Sequence, residues 1–198
     1  RDPFVKFKPR LEKKEREFLT KIELTKIENL KTPIERLTVV RDLFIFSCYT
    51  GISYGDIIEL SKKNIILGID GNPWLMANRR KTGTPFKIPL LQNAELLIRK
   101  YENHHRTQFN GKLLPTISNQ RLNSYLKEIA DLCSIEKNLT FHMARHTFAT
   151  TVTLTNGVPI ETVSKLLGHT KLATTQIYAR VIERKLSEDM NALRQKLN

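Results

Sequence analysis

The segment from 139 to 182 concentrates side chains that can do chemistry, and it contains a single acidic residue, Glu161. Its reactive side chains are His142, Arg145, His169 and Tyr178. A spacing of three puts His142 and Arg145 on one face of a helix. Cationic hydrogen-bond donors and a phenol, without the carboxylates that hold Mg²⁺, predict a site that works without a metal.

Such a site is suited to a phosphodiester, which gains negative charge as it passes through a five-coordinate transition state. Arg145 offers a rigid fork of donors for two phosphate oxygens and does not lose its proton. A tyrosine hydroxyl has an ordinary pKa of about 10, so it needs a neighbouring base or cation to become a good nucleophile. The segment therefore predicts attack by Tyr178 on a phosphodiester.

The order and spacing of several motifs resemble the tyrosine recombinase or phage integrase family. The motifs are, in chain order, TGISYGDIIEL (50–60), RRKTGTPFKIPL (79–90), His142-x-x-Arg145, LLGH (166–169) and Tyr178. The first is similar to the family's first box, and the second is similar to its β-hairpin that carries a catalytic lysine. The resemblance covers nearly the whole chain, and the combination is far more specific than any single motif.

The resemblance implies a reaction in which one DNA strand is cut, held through a 3′-phosphotyrosyl link and released to the 5′-hydroxyl of another strand. It implies that Tyr178 is the nucleophile, and that Arg145 and His169 bind the non-bridging oxygens. Lys81 would protonate the departing 5′-oxygen, and His142 would assist proton transfer at the nucleophile. Because the phosphotyrosine conserves the energy of the broken bond, no ATP, metal or other cofactor is expected.

The first box departs from the family pattern at Ser53. The family has TG-x-R there, with an arginine that contacts the scissile phosphate. A hydroxyl donates one hydrogen bond where a guanidinium donates two and adds a charge, so a few kcal/mol of transition-state stabilisation are at stake. The candidate substitutes are Arg41, on the helix before the box, and Arg79, two residues before Lys81 and so expected on the same strand face. The serine also resembles the integrases of Bacteroides-type conjugative or mobilisable elements.

The overall charge favours a polyanionic partner, since lysine and arginine number 33 against 20 acids and the formal charge is +13. Charge alone does not distinguish DNA from RNA or an acidic membrane. With the resemblance, Arg80, Lys87 and Lys171 are expected to contact DNA. His146, four residues after His142, suggests a metal pair on a helix, but without a third ligand we interpret it as a structural histidine.

The sequence predicts a mainly α fold with a small three-stranded antiparallel β-sheet, which is the fold that the resemblance implies: the DNA breaking-rejoining fold of a tyrosine recombinase catalytic domain. The sheet is expected between 64 and 91, with turns at Asp70-Gly71 and Thr82-Gly83. Capping boxes are expected at Thr20 and Thr32, and glycines stop several helices. The predicted helices are 21–30, 33–50, 54–60, 93–102, 119–133, 142–155, 159–167 and 171–180.

The predicted organisation is a linker at 1–17 from a missing N-terminal DNA-binding domain, a catalytic domain at 18–182 and a helical tail at 183–198. The amphipathic tail is expected to pack on its own domain or to dock on a neighbouring protomer. Cys48 and Cys133 have no paired spacing and are expected to be buried free thiols, which favours a cytoplasmic protein.

The expected function is site-specific DNA recombination that integrates or excises a mobile element. Expected partners are double-stranded DNA, other protomers in a tetrameric synapse and accessory DNA-bending proteins, with action at the bacterial nucleoid and no membrane. Two alternatives stay open at this point. One is DNA relaxation like that of a type IB topoisomerase, and the other is a non-catalytic DNA-binding module derived from a recombinase.

Overall fold

The computed structural model describes residues 16–197, with the side chains of 179–185, 188 and 192 excepted. Most of the predicted linker at 1–17 therefore lies outside the described residues. The α-helices are α1 Lys21–Asn29, α2 Glu35–Thr50, α3 Tyr54–Ile57, α4 Gln92–Tyr101, α5 His105–Asn110, α6 Asn119–Leu132, α7 Phe141–Thr147, α8 Ile160–Leu166 and α9 Ala179–Leu197. The strands are β1 Ile65–Leu67, β2 Pro73–Asn78 and β3 Pro85–Pro89. The predicted fold class is confirmed.

Helix α2 is the centre of the domain, since twelve of its 16 residues are buried. It packs against α4, α6 and α7, and its apolar side chains join one large core. Gly51 ends it in the left-handed conformation, with φ of +66°, as the glycine predicted. Its predicted start is wrong, because Ile34 is the N-cap and Thr32 Oγ1 accepts the Ile34 N–H without forming a capping box.

The sheet is antiparallel in the order β1-β2-β3, and it has the two predicted turns. Alternate residues face the core, so Leu75, Phe86 and Ile88 are buried while Lys87 on β3 is exposed. The hairpin that joins β2 to β3 brings Arg79 to α3 and to the end of α8, where the candidate site lies.

Two predicted helices have a different backbone pattern in the structure. The predicted helix 142–155 is α-helical only to Thr147 and continues as a π-helical turn, Phe148–Thr153. There Thr153 Oγ1 donates to the carbonyls of Phe148 and Ala149, a competing bond that distorts helices. The predicted helix 171–180 is instead two 3₁₀ turns, Leu172–Thr174 and Gln176–Tyr178.

A second, smaller core lies at the C-terminal side of the domain. It is formed by Phe148, Ala149, Leu154, Val163, Leu167 and Tyr178. Helix α9 follows directly and runs unbroken across the predicted boundary at 182/183.

Cys48 and Cys133 are free and buried, as predicted. Within residues 16–197, no helix has both the length and the apolar character needed to cross a bilayer.

Candidate active site

Arg145 lies on α7 and is anchored by the backbone ends of two other helices. Its Nη1 donates to the Gly51 carbonyl at 2.6 Å, and its Nη2 donates to the Leu167 carbonyl at 2.5 Å. Both carbonyls lie at helix C-termini, where the helix dipole favours a cation. Burial, followed by the charge of Arg79, lowers the pKa of Arg145 to about 10, so the guanidinium remains charged at neutral pH.

Arg79 also donates to the Leu167 carbonyl. It is 7% exposed, and its Nη2 donates to Leu167 O at 2.8 Å while its Nη1 pairs with Asp56 Oδ2 at 2.8 Å. Its guanidinium stacks over the Phe86 ring, 4.3 Å from the centroid. Because Arg79 and Arg145 share one acceptor, two permanent positive charges lie side by side.

The expectation that Arg79 shares a strand face with Lys81 is wrong. Strand β2 ends at Asn78, and the chain then turns, with Gly83 N donating to Arg79 O at 2.8 Å. Arg79 consequently points into the domain, whereas Lys81 is exposed on the turn. Within residues 16–197, the Lys81 side chain makes no hydrogen bond or ion pair.

Asp56 connects the first box to Arg79. Its buried carboxylate accepts from Ser53 Oγ at 2.6 Å, from Arg79 and from the Arg80 backbone N–H at 2.9 Å. Burial alone would raise the pKa of Asp56, but these donors lower it below its usual value, so the group is a carboxylate. The Ser53 hydroxyl proton is thus bonded to Asp56 rather than directed at a ligand.

His169 follows α8 and is held between an arginine and a threonine. Arg145 Nη2 lies 3.1 Å from its Nε2, and Thr175 Oγ1 lies 2.8 Å from its Nδ1. Since an arginine can only donate, Nε2 accepts and the proton of the neutral ring is on Nδ1. Burial, then Arg145 and Arg79, lower the pKa of His169 to about 4, so the ring is neutral at pH 7.

Tyr178 is 5% exposed, and its hydroxyl lies 2.5 Å from Nδ1 of His146. Burial raises the pKa of Tyr178 to about 12, against a smaller lowering by Arg145. The expectation that His146 is a fully satisfied histidine is wrong, because its Nε2 is buried with no hydrogen-bond partner among the described residues, while its Nδ1 contacts the candidate nucleophile. The only local signal for the contact of His146 with Tyr178 was that His146 directly follows Arg145.

His142 is exposed and faces a cavity of about 310 Å³. Burial of part of the ring, then the charge of Arg145, lower the pKa of His142. The cavity is lined by Ser53, Tyr54, Gly55, Asn119, Asn123, Thr140, Phe141, His142 and Arg145. Tyr178 is not part of this lining.

Arg41 is not brought to this cluster. Its Nε donates to Asp42 Oδ1 at 2.9 Å and its Nη1 donates to the Leu30 carbonyl, on the side of α2 that faces α1 and α4. Of the two candidate substitutes for the missing arginine, the structure therefore places only Arg79 beside Arg145.

The residues predicted to contact DNA are all exposed. Lys87 lies on β3, Lys171 precedes the first 3₁₀ turn, and Arg80 lies on the hairpin turn, 3.9 Å from Glu59. Their cationic groups are accessible to a phosphate backbone.

One group in the described part of the chain could offer three metal ligands, and it lies away from the cluster. It comprises Glu35, His104 and His105, whose ligand atoms are within 4.8 Å of one another. His104 Nδ1 accepts the Arg106 N–H at 3.3 Å, which leaves the proton of the neutral ring on Nε2, 3.7 Å from Glu35. A protonated nitrogen is not a ligand, so this arrangement fits a surface contact better than a metal site.

The profile of the phage integrase family matches residues 17–185, most of the chain. This chain belongs to the phage integrase family. Among curated relatives of this integrase-family chain, the tyrosine recombinase XerD of Halalkalibacterium halodurans is 30% identical over 146 residues, covering 70% of this chain and 48% of the relative. The tyrosine recombinase XerA of Saccharolobus solfataricus is 28% identical over 174 residues, covering 88% of this chain and 55% of the relative.

Solved structures share the fold of this integrase-family chain. A crystal structure of XerA recombinase superposes with a TM-score of 0.71 and 22% identity, covering 91% of this chain and 66% of that chain. A lambda integrase dimer bound to a COC′ core site has a TM-score of 0.63 and 19% identity, covering 84% of this chain and 60% of that chain. The chain spans about half the length of the curated XerD and XerA relatives it matches.

Sequence reasoning missed two residues of the cluster, Asp56 and His146. The i, i+3 spacing of Ser53 and Asp56 was a usable signal for the first of them, since side chains three residues apart at a helix start are neighbours. The pairing of Asp56 with Arg79 spans 23 residues and depends on the hairpin, so no local pattern predicted it.

Proposed function

We propose that this chain is the DNA-cleaving and DNA-joining domain of a site-specific recombinase that works through a 3′-phosphotyrosyl intermediate. The observation that supports this function is the convergence of Arg145 and Arg79 on the Leu167 carbonyl, with His169 bonded to Arg145. Two fixed guanidinium groups, of which Arg145 lines a cavity, form a site for a dianionic phosphorane, and the buried phenol of Tyr178 is near enough to Arg145 for its pKa to be affected by that charge.

In the proposed reaction the Tyr178 oxygen attacks phosphorus, and the bond to the 5′-oxygen of the DNA breaks. Arg145 and His169 hold the non-bridging oxygens, and His142 assists the departure of the phenolic proton. For His169 to donate from Nε2, the arriving phosphate must displace the Arg145 contact and raise the pKa of the ring, as a nearby negative charge does. Lys81 protonates the 5′-oxygen after the hairpin turn closes over the DNA.

Arg79 is the proposed substitute for the arginine that Ser53 replaces. Its guanidinium comes from the hairpin rather than from the first box, and Asp56 and the end of α8 hold it in place. Since Asp56 also binds Ser53, the first box still positions a guanidinium, although it does not supply one.

A nicked suicide substrate tests the proposed function, because loss of a short cleaved strand prevents rejoining and traps the covalent intermediate. The wild-type chain is expected to give a protein–DNA adduct stable to boiling in detergent, and Tyr178→Phe is expected to give none, since it lacks the nucleophilic oxygen. The Tyr101→Phe variant, which alters a buried tyrosine bonded to Asp42, is the control for loss of a phenol elsewhere. A wild-type chain that binds this DNA without forming an adduct would instead be a binding module.

The partners of the whole protein belong to the same proposal. We infer double-stranded DNA contacted by Arg80, Lys87 and Lys171, other protomers in a tetrameric synapse, accessory DNA-bending proteins, and action at the bacterial nucleoid on a mobile element. The tail supports a protomer contact, because one face of α9 exposes Leu186, Met190, Leu193 and Leu197. Similarity to recombinases solved with DNA supports the DNA partner.

A further inference from the structure

His146 and Tyr178 form a buried pair in which the phenol is the donor. The two side chains are 6% and 5% exposed, and Nδ1 and the hydroxyl oxygen are 2.5 Å apart. A phenol is the stronger acid and a neutral imidazole the stronger base, so the hydroxyl donates to Nδ1 and the imidazole proton is on Nε2. This assignment gives the buried hydroxyl proton a partner.

The same hydrogen bond keeps the hydroxyl away from the place where a phosphate would bind. Among the side chains that the structure describes, the Tyr178 hydroxyl bonds to neither Arg145 nor His169, and Tyr178 does not line the cavity beside Arg145. An oxygen that attacks phosphorus between those donors must first leave His146.

The backbone around His146 is fixed by the helix irregularity that follows it. Thr150 Oγ1 donates to the His146 carbonyl at 2.8 Å, and the π-helical turn Phe148–Thr153 begins two residues later. Turns of this kind inside α-helices often accompany functional sites. The ring is therefore held on the inner side of α7, toward the turn that carries Tyr178.

We propose that His146 is a positioning residue that holds the hydroxyl of Tyr178 inside the domain until DNA assembly draws it out. The inference rests on the proposed function, in which Tyr178 is the nucleophile. Neutral His146 serves as an acceptor and not as a store for the proton, because burial, followed by the nearby groups His142, Arg16 and Arg145, lowers the pKa of its ring to about 4. The pair therefore keeps the nucleophile protonated and unreactive in the free protein.

Acetylation of tyrosine hydroxyls by N-acetylimidazole, read for each tyrosine by peptide mass spectrometry, tests this positioning role without DNA. His146→Phe keeps a ring of similar size but removes the acceptor, whereas His146→Asn places Oδ1 where Nδ1 was. We expect Tyr178 to react roughly tenfold faster in His146→Phe, the effect of one lost hydrogen bond on an opening equilibrium, and at the wild-type rate in His146→Asn. Tyr101, 3% exposed and bonded to Asp42, is the internal control for general loosening.

Three results would overturn the positioning role: Tyr178 as protected in His146→Phe as in the wild type, equal acceleration of Tyr101, or equal acceleration of Tyr178 in the Asn variant. The last two would mean that general packing, or the ring itself, protects the hydroxyl. Because the measurement needs no DNA, its failure is separate from failure of the proposed function, which would appear as a wild-type chain that forms no adduct.

Discussion

Arg79 and Arg145 place two guanidinium groups on one backbone carbonyl, and the proposed reaction needs both of them. We expect Arg79→Lys to slow adduct formation on the suicide substrate by about 10²-fold, because an ammonium keeps the charge and the pairing with Asp56 but loses the fork of donors. Lysine is preferable to alanine, which would leave the Asp56 carboxylate buried without its partner, at a cost of about 3–5 kcal/mol in folding.

The matched control for this substitution is Arg41→Lys. Arg41 pairs with Asp42 through 2.8 and 2.9 Å contacts, much as Arg79 pairs with Asp56, but it lies outside the cluster. We expect the rate of adduct formation to change by less than about twofold, within the range of surface and peripheral substitutions. Equal losses in the two variants, or a wild-type rate in Arg79→Lys, would refute the role of Arg79.

At the scale of single residues, the sequence predicted the placement of site residues whose partners are close along the chain. It did not predict the placement of those whose partners are distant. His142 and Arg145 share a helix face through their spacing alone, and the glycine before His169 marks the end of α8. The choice between Arg41 and Arg79 depends on which way each side chain points once the hairpin meets α8, and no local pattern contains that information. The contact of His146 with Tyr178 has the same origin.

At the scale of elements, the junction of α2 with the first box depends on Gly51. Its φ is +66°, and a Cβ there would lie 2.4 Å from Cδ1 of Phe148. We expect Gly51→Ala to lower the free energy of unfolding by about 3 kcal/mol or more, from the left-handed backbone together with displacement of the Phe148 ring. Urea denaturation followed by circular dichroism measures this change.

Gly111→Ala separates the two contributions. Gly111 has nearly the same φ, +65°, but a Cβ there meets no heavy atom within 4 Å. That variant should lose about 1 kcal/mol from the backbone conformation alone. If the two variants lost the same amount, the packing of Phe148 on Gly51 would not be a determinant of the junction. Since Gly51 O also holds Arg145, only Gly51→Ala is expected to slow adduct formation as well.

Element boundaries could be predicted where capping chemistry is strong. The Thr20–Glu23 capping box and the glycine at 51 are both present, and the three strands follow from turn residues and alternation. The segment 148–153 could not, because threonine side chains there donate to nearby backbone carbonyls. The segment 171–178 could not either, since it forms two 3₁₀ turns in place of the predicted α-helix. The sequence of such segments keeps the apolar periodicity of an α-helix, but their backbone hydrogen bonds follow a π-helical or 3₁₀ pattern.

At the scale of the whole molecule, the buried histidines make folding depend on pH. Burial first, then nearby basic groups, lower the pKa of His146 to about 4. The basic groups are His142, Arg16, Arg145 and His169. An unfolded chain takes up a proton on this ring below its ordinary pKa of about 6.5, while the folded chain does not, so stability is complete above pH 6.5 and falls as pH drops toward 4.

For His146 alone the loss between pH 6.5 and 4.5 is about 2–3 kcal/mol, from 1.36 kcal/mol for each pH unit between the two pKa values. We expect urea midpoints of the wild type to fall between pH 7.5 and 4.5, and those of His146→Asn to fall by a correspondingly smaller amount, since asparagine does not titrate. His169, whose pKa is lowered to about 4 in the same direction, adds to the wild-type loss and remains in the variant. A variant whose midpoint fell as steeply as that of the wild type would show that His146 is protonated equally in the folded and unfolded chains, and that the neutral ring bonded to Tyr178 is not the form that folding selects.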